Sequence, residues 1–151
     1  MNEVELIKDQ LEKAFYGGAW HGPSVLEALE NINAGAAFSK PVNGAHSIWE
    51  IVLHLTTWQD YIRRRILGEQ YYPSPEDDWP EVNDKSQAAW ESSISNLKAG
   101  MKDILEVLPG LKPDKLNDEI PGKNCTYYTA LHGLIQHDIY HAGQIVLLKK
   151  H

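Results

Sequence analysis

The chain has 151 residues, a net charge of −7 and a hydrophobic fraction of 42%, a composition typical of soluble globular proteins that bury a core without staples. Its acidic balance argues against a nucleic-acid partner, and no apolar stretch approaches the roughly 20 residues of a membrane span. One cysteine, Cys125, excludes a disulfide framework and indicates a reducing compartment. Because the amino terminus enters an amphipathic run directly, no secretory signal is expected, and the predicted location is the cytoplasm.

Apolar residues recur at helical spacing along the chain, and strand-like alternation is nearly absent. The first helix is predicted over residues 4–15. Ser24 with Glu27 forms a capping box that opens a shorter helix through about Ile32. Residues 33–44 have no such period and are predicted to form a loop.

A second capping box opens the next long helix. Ser47 and Glu50 have the required spacing, and the apolar stripe that follows predicts a helix to about Leu67. Residues 71–80 carry three prolines and an acidic cluster, which is typical of a surface loop.

The third long helix is predicted to begin at a cap on Asn83 or Asp84 and to stop at residues 109–110, a Pro-Gly pair. Residues 111–124 have no strong period and resemble a long crossover lying over the other helices. Thr126 is predicted to begin the final helix.

Four long helices without strands bury their apolar stripes against one another. The sequence therefore predicts an all-α fold, an antiparallel four-helix bundle with a long crossover before the last helix. No repeat or linker interrupts the chain, so residues 1–151 are predicted to form a single domain.

Three histidines lie on the inward stripes of two predicted helices. His137 and His141 are four residues apart and share one helical face. His54 lies mid-way along the second long helix, flanked by Leu55, Trp58 and other apolar residues. Inward-facing side chains on different helices can converge in a bundle core, where the cofactor sites of such folds are built.

Each histidine also has an ordinary interpretation. A lone histidine on an apolar stripe is more often a hydrogen-bonded core residue than a ligand, and i, i+4 pairs arise by chance in a chain with seven histidines. Three buried imidazoles without a metal, however, would leave ring nitrogens without partners, at a cost of about 1–3 kcal/mol each. Convergence of His54, His137 and His141 would therefore favour a divalent metal.

Three neutral imidazoles form the ligand set of a catalytic zinc that leaves a fourth position for water or substrate. The same nitrogen donors suit nickel, copper or iron, so the set does not name the ion. Cys125 precedes the helix that carries His137 and His141, so it is not placed to close the site. An open site indicates chemistry rather than structural support.

Three further residues are candidates for the pocket or for contacts with the ligands. His21 precedes Gly-Pro at a helix break and can reach the pocket mouth or act as a surface residue. Glu50 lies one turn before His54 and can orient it, although the capping box already explains Glu50. Asp138 adjoins His137 but projects elsewhere on the helical wheel.

The final helix has a second apolar face, formed by Ile135, Ile139, Ala142 and Val146. A helix that is apolar on both sides is either enclosed by its own bundle or covered by another subunit. A homodimer is therefore expected.

Three runs together resemble the DinB/YfiT-like family: residues 20–24 (Trp-His-Gly-Pro-Ser), residues 46–58 around His54, and residues 137–145 (an HxxxHxGQ-type run). The resemblance covers essentially the whole chain and implies a four-helix bundle with a metal held by His54, His137 and His141. Some members are metal-dependent S-transferases that use thiols such as bacillithiol, mycothiol or glutathione. Others resemble hydrolases, and members are often homodimers.

Three functions follow as hypotheses. In the first, the protein is a thiol S-transferase in which a divalent metal, zinc or nickel above all, lowers the pKa of a low-molecular-weight thiol that attacks a small electrophile. In the second, it is a hydrolase in which the metal activates water. In the third, it is a non-catalytic protein whose metal braces the bundle or whose pocket binds a small ligand.

Overall fold

The computed structural model describes residues 1–122 and 124–151, and the regular elements of these residues are helices. In chain order they are α1 (Glu3–Tyr16), α2 (Val25–Ala28), α3 (Ala34–Phe38), α4 (Ile48–Ile66), α5 (Pro75–Asp78), α6 (Gln87–Val107) and α7 (Tyr127–Lys149). Two 3₁₀ turns, Leu108–Gly110 and Pro113–Lys115, follow α6. The all-α prediction is confirmed, with α1, α4, α6 and α7 as its four long helices.

Side-chain caps fix where the long helices begin, because a cap satisfies backbone N–H groups that have no partner within the helix. Ser47 caps α4 through the predicted capping box, and Thr126 caps α7 as predicted. The start of α6 was predicted too early. Ser86 is the cap, whereas the Asp84 carboxylate accepts a hydrogen bond from the N–H of Ser86 and Asn83 lies outside the helix.

The connection between α1 and α4 also differs from the prediction. The helix that Ser24 opens ends at Ala28 instead of about Ile32, and Asn31 then adopts the left-handed region with φ of 60°. Residues 33–44 contain α3, because the Asn33 side chain accepts a hydrogen bond from Ala36 N–H and caps one short helix.

The four long helices enclose one core. α4 packs against α6 and α7, and α1 packs against α7 and α6. α7 runs antiparallel to α4, because His137 lies beside His54 while Arg65, near the end of α4, donates to the carbonyl of Pro121, just before α7.

α6 runs parallel to α4, so the predicted antiparallel order is wrong for this pair of helices. Trp49 and Trp90, near the starts of the two helices, are in edge contact, with ring centroids 5.2 Å apart. Further along both helices, Gln59 of α4 lies against Gly100 of α6. Parallel neighbours need a connection that returns along the bundle, and residues 67–86 provide it.

The long connection before α7 lies at the end of the bundle where α4 and α6 finish. Its Leu116 and Ile120 are buried, and Leu116 accepts a hydrogen bond from Tyr128 N–H at the start of α7. Lys123, which falls in the predicted crossover, lies outside the described residues.

α7 is apolar on two sides because it is enclosed within the bundle. Its Ile135 and Ala142 are buried in this single chain, and α7 contacts α1 and α2 as well as α4. The homodimer stays a prediction. Among the described residues, none of the helices combines the length and the apolar content that a bilayer crossing requires.

Candidate metal centre

Three imidazole rings converge between α4 and α7. The Nε2 atom of His137 lies 2.9 Å from Nε2 of His54 and 3.1 Å from Nε2 of His141. One ligand atom from each ring lies within 4.8 Å of the others. His54 and His141 are buried and His137 is half-buried, so the rings meet largely out of solvent.

The outer nitrogens of two rings have acceptor partners. His54 Nδ1 lies 2.7 Å from the backbone oxygen of Asp78, and His141 Nδ1 lies 2.6 Å from Oε1 of Gln144. Each oxygen accepts, so each Nδ1 carries the proton and donates it. In these tautomers the Nε2 lone pairs of His54 and His141 both face His137.

This arrangement fits a divalent cation. A neutral His137 can carry one proton on Nε2, which then serves only one of its two neighbours, or carry none there, which sets its lone pair against both of theirs. A cation between the rings gives all three Nε2 lone pairs a partner. For tetrahedral zinc with Zn–N bonds of about 2.0–2.1 Å, ligand nitrogens lie about 3.3 Å apart, which is close to the two Nε2 separations of 2.9 and 3.1 Å.

Burial keeps the three rings neutral, the state in which imidazole binds metal. Desolvation lowers the pKa of His137 to about 3, with the neighbouring His141 and His54 rings adding to the effect. Desolvation likewise lowers the pKa of His141 to about 4 and lowers that of His54.

The returning connection forms one wall of the centre. Asp78 lies at the end of α5, where its carboxylate accepts a hydrogen bond of 2.7 Å from Trp58 Nε1 and lies 3.1 Å from His54 Nδ1. Trp79 stacks on the His54 ring with centroids 3.8 Å apart, and His46 stacks on the other face of Trp79 at 3.5 Å. These contacts fix the plane of the His54 ring.

The other predicted site residues lie in different surroundings. His21 is exposed, and its ring nitrogen Nε2 contacts the backbone oxygen of Pro23. Glu50 accepts the N–H of Ser47 and pairs with Lys40, so its contacts are those of a cap and a surface ion pair. Asp138 is 1% exposed, and neither carboxylate oxygen has a hydrogen-bond partner.

Sequence reasoning did not assign the residues that orient the imidazoles. Asp78 is 24 positions from His54 in a connection whose path cannot be read from the sequence. Gln144 follows His141 by three positions, so its i, i+3 spacing on a helix was the available signal. His46 stacks on Trp79 of the same connection, so this contact could not be read from the sequence either.

A family model described as the DinB superfamily matches residues 20–145, most of the chain and all three clustered histidines. The chain belongs to the DinB superfamily. No curated protein and no solved structure shows significant similarity to it. The match confirms the family resemblance, and membership in a family of metal-binding proteins agrees with the chemistry of the histidine cluster.

In this DinB-superfamily protein a cavity of about 410 Å³ begins at the histidine cluster, within the range of small-molecule sites. His54 and His137 lie at one end, and α4 and α7 supply most of the wall. Apart from these histidines, the lining residues of the described chain are Trp58, Tyr61, Ile62, Arg65, Cys125, Thr129, Ala130, Gly133 and Leu134. The wall is mainly apolar, so it suits the apolar part of a small molecule that approaches the cluster.

Proposed function

We propose that this protein is a metal-dependent S-transferase that joins a low-molecular-weight thiol to a small electrophile, with Zn²⁺ or Ni²⁺ held by His54, His137 and His141. The observation that carries the proposal is the opening of the cavity directly at the three-nitrogen cluster. A purely structural metal is normally enclosed by four protein ligands, whereas the cluster of the described residues has three.

The chemistry requires a thiol that is deprotonated at neutral pH. A divalent metal bound by the three rings would supply this, because coordination of a thiol lowers its pKa. The protein's own contribution is to hold the imidazoles in place. Asp78 and Gln144 fix the tautomers of His54 and His141. Such outer partners also orient the imidazole rings and raise the basicity of the ligand nitrogens.

The cavity wall would position the reactants. Trp58 lies beside His137 with ring centroids 5.7 Å apart and is followed along α4 by Tyr61. On the facing helix, Gly133 and Ala130 have small or absent side chains, which leaves space beside the cluster. An apolar wall excludes water, so a thiolate formed there would meet its electrophile with little competing hydrolysis.

Two further features belong to the same proposal. The single cysteine suits a reducing compartment, and low-molecular-weight thiols are kept reduced in the cytoplasm, where we place the reaction. The active form would be a homodimer, to be tested by the mass in solution across a range of protein concentrations.

The test is thiol conjugation by protein that is stripped of metal and then reloaded with Zn²⁺ or Ni²⁺. Monochlorobimane serves as the electrophile: the thiolate sulfur bonds to its chloromethyl carbon and chloride leaves. Bacillithiol, mycothiol and glutathione are offered separately. We expect at least one thiol to give a metal-dependent rate that His141→Ala abolishes. His132→Ala is the matched control, because His132 lies on the same helix but its ring contacts the Tyr128 ring, outside the cluster.

The competing functions give different results in the same experiment. Absence of any thiol-dependent rate in both metal forms would refute the S-transferase. Metal-dependent hydrolysis of a nitrophenyl ester without thiol would instead support the hydrolase. A metal that raises thermal stability but gives neither activity would support a bracing role.

A further inference from the structure

A positive charge is buried in the wall of the cavity. Arg65 is 1% exposed and lines the cavity that starts at His54 and His137. Its neighbours Arg63 and Arg64 form ion pairs with Asp60 and Glu69 on the surface. No carboxylate in the described part of the chain forms such a pair with Arg65.

The recorded partners of Arg65 are neutral. Its Nε and Nη2 atoms donate to the backbone oxygen of Pro121, and Nη1 donates to the hydroxyl of Tyr61 at 2.6 Å. The guanidinium carbon lies 4.8 Å from the ring centroid of Tyr61 and 5.3 Å from that of Tyr72. Within residues 1–122 and 124–151, these bonds use three of the five N–H groups of an arginine, which leaves two for a ligand.

A structural role explains only part of this arrangement. The bonds to Pro121 hold the connection before α7 against the end of α4. A neutral donor could make such a bond, however, whereas arginine keeps its charge at any physiological pH. Neutral acceptors satisfy hydrogen bonds but do not neutralise the charge, and burying a charge without a counterion is unfavourable. We therefore expect a ligand in the cavity to supply the negative charge that neutralises Arg65.

Arg65 and the histidine cluster lie on the same side of α4. Arg65 follows His54 by eleven residues, which is about three turns and on the order of 16 Å along the helix axis. The Arg65 side chain leans back by about one turn, because its Nη1 atom reaches the hydroxyl of Tyr61. A ligand on the order of 10 Å long would therefore reach from the cluster to the guanidinium.

We propose that Arg65 binds a carboxylate, so that the molecule that occupies the cavity is a monocarboxylate with an apolar body. The guanidinium fork matches a carboxylate in shape. One arginine neutralises one negative charge, whereas a phosphate dianion would bring an uncompensated charge into an apolar cavity. The other end of this molecule would then be a thiol at the histidine cluster, and this part of the inference rests on the proposed function.

The experiment compares ligands that differ only in the carboxylate. Protein loaded with Co²⁺ is titrated with mercaptooctanoic acid and with mercaptooctanol, and the sulfur-to-cobalt charge-transfer band reports thiol ligation. In a second arm, metal-free protein is titrated with octanoate and octanol by calorimetry. We expect each acid to bind about tenfold to a hundredfold more tightly than its alcohol, since charge-assisted hydrogen bonds are the strong ones.

Variants locate the effect at one residue. Arg65→Met keeps the length and apolar contacts of the side chain and should bring the acid-to-alcohol ratio close to one, while Arg65→Lys should keep part of it. Arg64→Met is the matched control, because Arg64 is the adjacent arginine and pairs with Glu69 outside the cavity wall. Its ratio should equal that of the unchanged protein.

The two arms separate this inference from the proposed function. Equal affinities for acid and alcohol in the unchanged protein overturn the assignment of Arg65, even when Arg65→Met fails to fold. A charge-transfer band whose half-maximal concentration is the same for both thiols would leave thiol ligation standing and remove the carboxylate site. Selective binding of octanoate that depends on Arg65, without a band from either thiol, supports the carboxylate site and contradicts the S-transferase.

Discussion

Gln144→Leu tests whether the outer hydrogen bonds prepare the imidazoles for a metal. Gln144 Oε1 accepts a hydrogen bond of 2.6 Å from His141 Nδ1, which holds the proton on the outer nitrogen and leaves Nε2 free. Leucine has a similar size but no acceptor, so the His141 proton can move to Nε2. Metal binding would then have to displace it.

The expected loss of metal affinity follows from the role of this bond. Removal of an outer partner of a ligating histidine typically weakens binding by 10–100-fold, which corresponds to about 1.4–2.8 kcal/mol. Gln144→Glu keeps an acceptor at the same place and adds negative charge, so we expect its affinity to equal or exceed that of the unchanged protein.

Competition with a chromophoric chelator measures these affinities for Zn²⁺. Gln136→Leu provides the matched control, because Gln136 is an exposed glutamine on the same helix. The reasoning is wrong if Gln144→Leu folds normally, as judged by circular dichroism, and binds Zn²⁺ as tightly as Gln136→Leu does.

Three further predictions concern stability. Gly100→Ala would place a Cβ 2.2 Å from Gln59 Oε1, so we expect a loss of about 1–3 kcal/mol in urea denaturation. Gln59→Ala should rescue it, and an unchanged midpoint for Gly100→Ala would refute the prediction. Burial raises the pKa of Asp138 to about 8 in the folded protein. The stability that its neutral carboxyl group contributes to the folded state is therefore fully present below the unfolded pKa near 3.8 and is lost as the pH rises to about 8. The metal-free protein should therefore lose up to about 1.4 kcal/mol per pH unit between about pH 6.5 and 8, and an equally steep loss in Asp138→Asn would contradict this cause. Chelation of the metal should lower the Tm of the unchanged protein but not that of His141→Ala, whereas equal shifts in both would refute binding at the cluster.

The helices could be predicted from the sequence because their signals are local. The Ser47 capping box and the cap at Thr126 act within a single turn, so they mark the starts of α4 and α7 directly. The parallel direction of α4 and α6 could not be predicted in this way. Hydrophobic spacing defines which face of a helix is buried but carries no information about the direction of its neighbour, and residues 67–86 are long enough to permit either direction.

The site residues likewise divide into those that local sequence patterns identify and those that depend on the folded path of the chain. His54, His137 and His141 could be selected because each lies on an inward stripe, and the structure brings their rings together. Arg65 lies on the same face as His54 at a spacing of eleven residues, so the helical wheel contains the signal for its place beside the site. Asp78 belongs to a connection without periodicity, and its contact with His54 depends on the folded path of that connection.

The most direct test of the account is the metal content of the protein, measured by elemental analysis after purification without added metal and again after reconstitution and dialysis. We predict about one divalent ion per chain in the unchanged protein and in His132→Ala, and none retained when His54, His137 and His141 are all changed to Ala. The central claim would be contradicted if the unchanged protein holds no ion even after reconstitution, or if the triple variant retains as much metal as the unchanged protein.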